Sequence, residues 1–249
     1  MKHKENGTHR KFLLLYAGVL LVLIIGVVIL TIRLVDEKAQ VPSSQPRAST
    51  PTPNPIGTMQ PLFSDTFLDN SKGWSVVNVP GYMRTLHTGT LTLSDTNHNV
   101  LVESIPTSTT FTNFSLTTTF TLVQGDENDS VGLYLRGDSN LDHDYRVDIF
   151  GNNTYAISKE TLSANSELEQ TFLVPPTQTK LLNPIGRKNM LAVALHGPTM
   201  VVQMNGQTLS SLTDTGYIHG QIALFVANGM TSNGVTAQFH DLVIYPTPK

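Results

Sequence analysis

The sequence predicts an all-β domain, a two-sheet antiparallel sandwich, preceded by one transmembrane α-helix and a Pro-rich linker. Three observations predict this architecture. Residues 12–32 form an unbroken apolar run, and six prolines interrupt residues 39–61. Residues 62–248 contain many short segments in which apolar and polar side chains alternate, with turn residues between them and no sustained 3.6-residue period.

The apolar run has the length of a membrane-spanning helix. Its 21 residues would cover about 32 Å as a helix, close to the ~30 Å hydrocarbon core of a bilayer. The preceding residues 1–11 carry four lysines or arginines and one glutamate, and Lys11 stands directly before the run. Because positive charge stays on the cytoplasmic side, we expect a cytoplasmic tail at 1–11, a helix at 12–33 and an extracytoplasmic C-terminal part.

A cleaved signal peptide is the alternative for the same segment. Signal peptides have an apolar region of about 7–15 residues followed by a small-x-small cleavage site. This run is longer, and Thr31 to Asp36 contain no such site. The sequence therefore favours a retained single-pass anchor in the cell membrane, with the lipid bilayer contacted through residues 12–32.

Residues 34–61 are predicted to be a Pro/Ser/Thr-rich linker, because they have little apolar surface to bury and proline removes backbone donors. Charge divides at its end: residues 1–61 carry a net +4, and residues 62–249 carry a net −7. An acidic outer domain is a poor match for phosphate backbones, so no nucleic-acid partner is expected. The chain has no cysteine, which suits a bacterial protein outside the membrane better than a eukaryotic one.

Period-two alternation defines the strands of residues 62–249. In 114–122 the even positions are mostly apolar and the odd positions are Ser or Thr. The same pattern places Val131, Leu133 and Leu135 on one face, and it recurs at 145–149 and 191–195. Asn205-Gly206 predicts a type I′ hairpin, since both residues accept positive φ.

A set of motifs gives the domain a family resemblance. They are, in order, Leu62 to Phe67, Gly73-Trp74, Gly132 to Arg136, Asp138 to Val147, Asn189 to Val193, Val202 to Gly206, Gly220 to Leu224 and Phe239 to Ile244. Together they resemble concanavalin A-like (laminin-G-like) jelly rolls and are similar to the bacterial 3-keto-disaccharide hydrolase, or glycoside hydrolase 16-like, domains. The resemblance implies a jelly-roll sandwich over 62–249. It does not imply one function, because this fold serves enzymes, lectins and interaction modules.

The last strand changes phase, and it carries a candidate metal ligand. Val235, Ala237 and Phe239 are apolar at odd positions and Leu242 is apolar at an even one, which predicts a bulge near His240-Asp241. Related domains often hold a structural calcium ion near the first and last strands. The resemblance therefore makes Asp65 and Asp241 candidate calcium ligands. The alternative is that the two carboxylates cap turns or accept backbone N–H bonds.

A second acidic cluster comprises Asp138, Asn140, Asp142 and Asp144, and its first three members have the spacing of the first ligands of a calcium loop. However, His143 stands where such a loop has glycine, and Ile149 stands where it has glutamate. A solvated hairpin loop is the favoured interpretation.

No residue is predicted to be catalytic. The related hydrolases that cleave β-glucans carry two glutamates flanking an aspartate on one strand, and this sequence has no such array. It also has no Gly-x-Ser-x-Gly, no His-Glu-x-x-His and no phosphate-binding loop.

Four residues form the candidate ligand site. Tyr134, Arg136, Arg146 and Asp148 should all point away from the core on two neighbouring strands, where tyrosine can stack on a sugar and the charged groups can bond its hydroxyls. Ordinary cross-strand pairing is the alternative. Trp74, by resemblance, belongs to a structural Gly-Trp element of the core.

The sequence thus predicts a membrane-anchored, non-catalytic module that binds carbohydrate or a cell-envelope protein. The alternative is a surface glycoside hydrolase acting on an oxidised (3-keto) disaccharide. No cofactor is expected beyond a structural calcium ion.

Overall fold

The computed structural model describes residues 59–163, 165 and 167–247, which form fourteen β-strands. These are β1 Phe63–Asp65, β2 Tyr82–Leu86, β3 Leu91–Asp95, β4 Val100–Ser104, β5 Phe114–Gln124, β6 Ser130–Gly137, β7 His143–Phe150, β8 Thr154–Leu162, β9 Leu168–Gln178, β10 Lys188–His196, β11 Thr199–Met204, β12 Gln207–Thr213, β13 Gln221–Ala227 and β14 Val235–Pro246. Every pairing between them is antiparallel.

The strands divide into two sheets. An eight-stranded sheet has the order β12-β11-β10-β5-β14-β3-β2, with β1 also paired to β14, and a six-stranded sheet has the order β4-β13-β6-β7-β8-β9. Strands from the end of the domain lie between early strands in both sheets: β14 separates β5 from β3, and β13 separates β4 from β6. This arrangement confirms the all-β, two-sheet antiparallel sandwich.

The core lies between the sheets and follows the predicted alternation. Along β5, Phe114, Leu116 and Phe120 are buried, as is Thr118 on the same face, while Ser115, Thr117 and Thr119 are partly exposed. In the six-stranded sheet, Leu133 and Val147 sit opposite each other and are fully buried in the same core. The two sheets therefore pack together through apolar side chains at every second position. Burial of this apolar surface is the main contribution to the stability of such a fold.

Trp74 is a core residue, as predicted. Its ring packs edge-on against Phe63 and Phe67, with ring centroids 6.0 and 5.3 Å away. Its indole N–H donates to Asp65 Oδ2 at 2.6 Å, which satisfies the one polar atom of the side chain.

Two predicted irregularities are confirmed. On β14, Phe239 pairs with Phe120 and Asp241 pairs with Thr119, so His240 is the extra residue of a bulge. Asn205 and Gly206 join β11 to β12 with φ values of 51° and 80°, the two positive values that a type I′ turn requires.

The predicted transmembrane helix at 12–33 and nearly all of the predicted linker at 34–61 lie outside the described residues. Within the described part of the chain, no helix has the length and apolar character needed to cross a bilayer.

Candidate functional site

The outer face of the six-stranded sheet brings three of the four predicted site residues together. Tyr134 on β6 pairs with Arg146 on β7, and Asp148 follows two residues later on the same face. Because Leu133 and Val147 face the core, their neighbours Tyr134, Arg146 and Asp148 point the other way. The period-two reading of these strands is therefore correct for these side chains.

Arg146 is the centre of a polar network on this face. Its Nε and Nη2 donate to Asp148 Oδ1 at 3.1 and 2.8 Å, and its Nη1 donates to Tyr134 Oη at 3.2 Å and to Glu160 Oε1 at 3.3 Å. The guanidinium also lies over the Phe225 ring, 4.4 Å from its centroid. Burial, the largest single influence, lowers the pKa of Arg146, but Asp148, Tyr134 and Glu160 together more than offset it, and the pKa is raised.

Glu160 is a member of this network that the sequence analysis missed. It lies on β8 directly opposite Asp144 on β7, and burial raises the pKa of its carboxyl group. Gln170 on β9 donates to Glu160 Oε1 at 3.4 Å. Only the β7–β8 register reveals Glu160, because nothing near it in the sequence marks it as a partner of Arg146.

Asp144, which the sequence analysis placed in the solvated acidic cluster, instead lies buried beside this network. It is fully buried, and neither carboxylate oxygen has a hydrogen-bond partner. Leu141 of the β6–β7 loop packs against the adjoining cluster of Tyr134 and Phe225. Burial, reinforced by the nearby Glu160, raises the pKa of Asp144 to about 8, so at neutral pH its carboxyl group is largely protonated.

Arg136 does not belong to the face, which corrects the prediction. It has a φ of 53°, and the β6–β13 register shifts beside it, between Gln221 and Ile222. The side chain is 1% exposed. Its guanidinium donates to three loop carbonyls, those of Thr112, Gly197 and Tyr217. Arg136 thus connects these three loops by hydrogen bonds inside the protein, and its side chain is not accessible to a ligand.

Tyr134 is on the predicted face but cannot serve as a stacking platform. Its side chain is 4% exposed, and its ring packs against Phe225 with a centroid distance of 5.0 Å. The phenol instead accepts a bond from Arg146. Tyr134 therefore helps to position the Arg146 guanidinium on the neighbouring strand. This role corresponds to the alternative of ordinary cross-strand pairing, and not to a sugar contact.

The predicted calcium ligands are not brought together. Asp65 pairs with the buried Leu242, so its side chain points inward, whereas Asp241 is the next residue along β14 and points outward. Asp65 accepts the Phe67 N–H at 2.8 Å and the Trp74 indole, and Asp241 accepts the Thr119 N–H at 2.8 Å. Both carboxylates therefore bond N–H groups, and these residues do not fit one shared calcium ion.

The acidic cluster after β6 is a hairpin loop, as favoured. Asp138 Oδ1 accepts the N–H groups of Asn140 and Asp142 at 3.2 and 2.9 Å, so the carboxylate organises the loop itself. In the described residues, no group of three or more His, Asp or Glu side chains is placed to hold a metal ion.

A groove of about 360 Å³ opens on the outer face beside Arg146. We call it the outer groove; the residues that matter for its chemistry are Arg146, Asp148, Phe150, Gln170, Phe172 and Met230. Phe172 is 48% exposed and Met230 is 81% exposed. Neither was predicted, because Phe172 lies in an edge strand whose burial pattern does not alternate and Met230 lies in a loop.

No protein-family model matches the sequence, and no curated protein matches it either. Solved structures match the fold. The chain has the concanavalin A-like jelly-roll fold. The carbohydrate-binding module CBM66 from Bacillus subtilis superposes with a TM-score of 0.53 at 15% identity, covering 70% of this chain and 95% of that one.

Two further structures show the same fold. A galectin-like protein of unknown function from Bacillus subtilis has a TM-score of 0.55 at 13% identity, covering 75% of this chain and 96% of its own. A glycoside hydrolase family 16 endo-glucanase from Bacteroides ovatus has a TM-score of 0.54 at 11% identity, covering 74% and 99%. At these low sequence identities, the structural similarity is evidence for a shared fold.

Proposed function

We propose that this protein is a membrane-anchored, extracytoplasmic, non-catalytic module that binds carbohydrate in the outer groove. The observation that carries the proposal is the composition of that groove. Exposed apolar side chains, Phe172 and Met230, stand beside a buried polar network built on Arg146 and Asp148. Sites for small polar ligands combine these two elements, an apolar wall and a few fixed polar groups.

Each element matches one side of a sugar. A pyranose ring presents C–H groups on its faces, which pack on an aromatic ring such as Phe172, and hydroxyls at its edge, which bond carboxylates and amides. Asp148 is held rigidly, because its Oδ1 accepts bonds from Ser130 Oγ at 2.7 Å and from Arg146. A pre-ordered acceptor costs less entropy on binding.

The comparisons agree with this proposal. One structure with the same fold is a carbohydrate-binding module, and another is described as galectin-like. A glycan of the cell envelope is the partner that the anchored location makes accessible, and an envelope protein is the other partner class.

The anchor is part of the same proposal. The 12–32 apolar run would hold the chain in the bilayer, and the Pro-rich segment would carry the sandwich away from the lipid at about 3 Å per residue. The acidic sandwich would then face outward.

A glycan array tests the binding function. The full-length chain, in detergent, should bind a subset of glycans saturably, without product. Phe172→Ala should weaken binding about tenfold or more. Tyr245→Ala is the matched control, because Tyr245 is an exposed aromatic side chain on the other sheet. Wild-type binding to no glycan, or equal binding by both variants and wild type, would contradict the proposal.

A second candidate function, hydrolysis of an oxidised disaccharide, is favoured by one observation. Asp144 and Asp148 share a face of β7, and the first is largely protonated while the second is paired with Arg146. Glycosidases use such a protonated and ionised pair. Against it, Asp144 is buried and does not line the outer groove. Turnover of a 3-keto disaccharide that disappears in both Asp144→Asn and Asp148→Asn would establish the hydrolase.

A further inference from the structure

The positive charge in the outer groove is already used within the protein. Arg146 is the one lysine or arginine among the described residues that line the groove. Its nitrogens donate to Asp148, Tyr134 and Glu160, and its side chain is 12% exposed. One guanidinium therefore faces two carboxylates, and it has no free edge with which to bind an anionic ligand as a bidentate pair.

Asp148 supplies the opposite charge to the groove. Its side chain is 3% exposed, and its Oδ1 accepts bonds from Ser130 and Arg146. Its Oδ2 receives no donor from the described residues, yet it is not one of the enclosed unpaired atoms. Since Asp148 lines the groove, this oxygen is open to it. A carboxylate oxygen accepts hydrogen bonds and donates none.

The remaining described side chains that line the groove add no lysine or arginine. His98 lines the groove, but its Nδ1 lies 2.8 Å from the Gly229 carbonyl oxygen and so donates there. Phe150, Phe172 and Met230 are apolar, and Gln170 donates to Ser158 Oγ at 3.0 Å and to Glu160. The groove thus offers apolar contacts, the neutral amides of Asn99 and Asn128, and an acceptor-only carboxylate, with no lysine or arginine besides Arg146 in the part of the chain that the structure describes.

Resting on the proposed function, we propose that the outer groove selects neutral, hydroxyl-rich sugars and rejects glycans that carry carboxylate or sulfate groups at the bound residue. A sugar hydroxyl donates to Asp148 Oδ2, and the C–H face of the same ring packs on Phe172. An acidic sugar brings a further negative charge to a network in which one guanidinium already faces two carboxylates, and no other lysine or arginine among the described residues lines the groove to balance that charge. Repulsion between two close charges in a partly buried site is strong enough to weaken binding by at least about tenfold.

Paired ligands test this selectivity. The probes are oligosaccharides of glucose, galactose and mannose, together with the same oligosaccharides oxidised at C6 to uronates. The full-length chain in detergent should bind at least one neutral member, and the uronate partner of that member should bind at least about tenfold more weakly. Raising NaCl from about 0.05 to 0.5 M should bring the ratio of neutral to uronate affinity closer to one, because salt screens the repulsion.

Two variants separate charge from shape. Asp148→Asn keeps the side-chain size, removes the charge and should bring the neutral-to-uronate ratio close to one. Glu169→Gln removes an exposed carboxylate that does not line the groove and should leave most of the neutral-to-uronate affinity ratio in place. Melting curves of both variants establish that they are folded. If Asp148→Asn does not fold, the wild-type ratio and its salt dependence still decide the matter.

The outcomes distinguish the selectivity from the binding function. Equal or tighter binding of the uronates would overturn the selectivity and leave the carbohydrate-binding function intact. Binding of no neutral or acidic oligosaccharide, on these probes and on the full array, would overturn both. A neutral preference that survives in Asp148→Asn would also overturn the proposal, since the carboxylate would then not be its cause.

Discussion

Arg146 holds the polar face together, because it neutralises two carboxylates that are themselves almost buried. Asp148 and Glu160 both have side chains 3% exposed and both accept bonds from its guanidinium. Removing one partner of a buried ion pair leaves an uncompensated charge and costs about 3–5 kcal/mol. We therefore expect Arg146→Met to lower the free energy of unfolding by about that amount at pH 7 in urea denaturation.

The control for this variant removes the carboxylates as well. Arg146→Met combined with Asp148→Asn and Glu160→Gln leaves no buried charge in the network, so most of the lost stability should return. An Arg146→Met protein as stable as wild type would show that the network is not what holds these carboxylates in place.

Asp144 makes stability depend on pH. Its pKa of about 8 lies well above the ~3.9 of an unfolded chain. Between about pH 4 and pH 8 the unfolded chain has therefore released a proton that the folded protein keeps. The folded state binds more protons, so this group makes stability fall as pH rises, by ~1.4 kcal/mol per pH unit across the window.

Asp144→Asn removes that dependence. We expect the variant to gain stability relative to wild type between pH 5 and pH 8, measured by urea denaturation at each pH. The charged groups that act on Asp144, namely Glu160, Arg146, Asp138 and Asp142, are present in both proteins and largely cancel in the difference. A stability difference that is flat or falls over this range would contradict the burial of an unpaired carboxyl group.

At the scale of the strand, Gly132 allows β6 and its neighbours to approach closely. A Cβ atom added at Gly132 would lie 1.8 Å from the Val147 carbonyl oxygen and 2.8 Å from the Phe225 ring. Backbone cannot move aside cheaply in the middle of a sheet, so Gly132→Ala should cost about 3 kcal/mol. Gly125→Ala is the matched control, because its nearest contact is 3.3 Å and its φ is not positive. Equal melting temperatures for the two variants would contradict this packing.

The strands could be predicted because one face of each meets a core. The alternation of apolar and polar residues in β5 and β10 largely follows which side chains are buried, and the β14 bulge appears as its change of phase. Arg136 could not be placed this way, since its positive φ turns the side chain out of the alternation. Phe172 and Glu160 could not be found either, because they join the site only through the pairings β7–β8 and β8–β9.

At the scale of the molecule, the uneven charge and the apolar run make a testable prediction of topology. Residues 12–32 should hold the protein in the membrane fraction, and protease added to intact cells should remove the C-terminal sandwich. A chain lacking residues 12–32 should leave the membrane fraction. Mature protein found without its first forty residues, or a sandwich protected in intact cells, would contradict the predicted anchor and orientation.

Hydrogen–deuterium exchange with a bound glycan tests the location of the site most directly. With a neutral oligosaccharide from the array at saturation, amide protection should concentrate in β7, β9 and the loop that contains Met230, which contribute residues to the outer groove. Strands β10 to β12 of the other sheet should exchange at unchanged rates. Protection confined to those strands, or none at all at saturation, would contradict carbohydrate binding on the outer face of the six-stranded sheet.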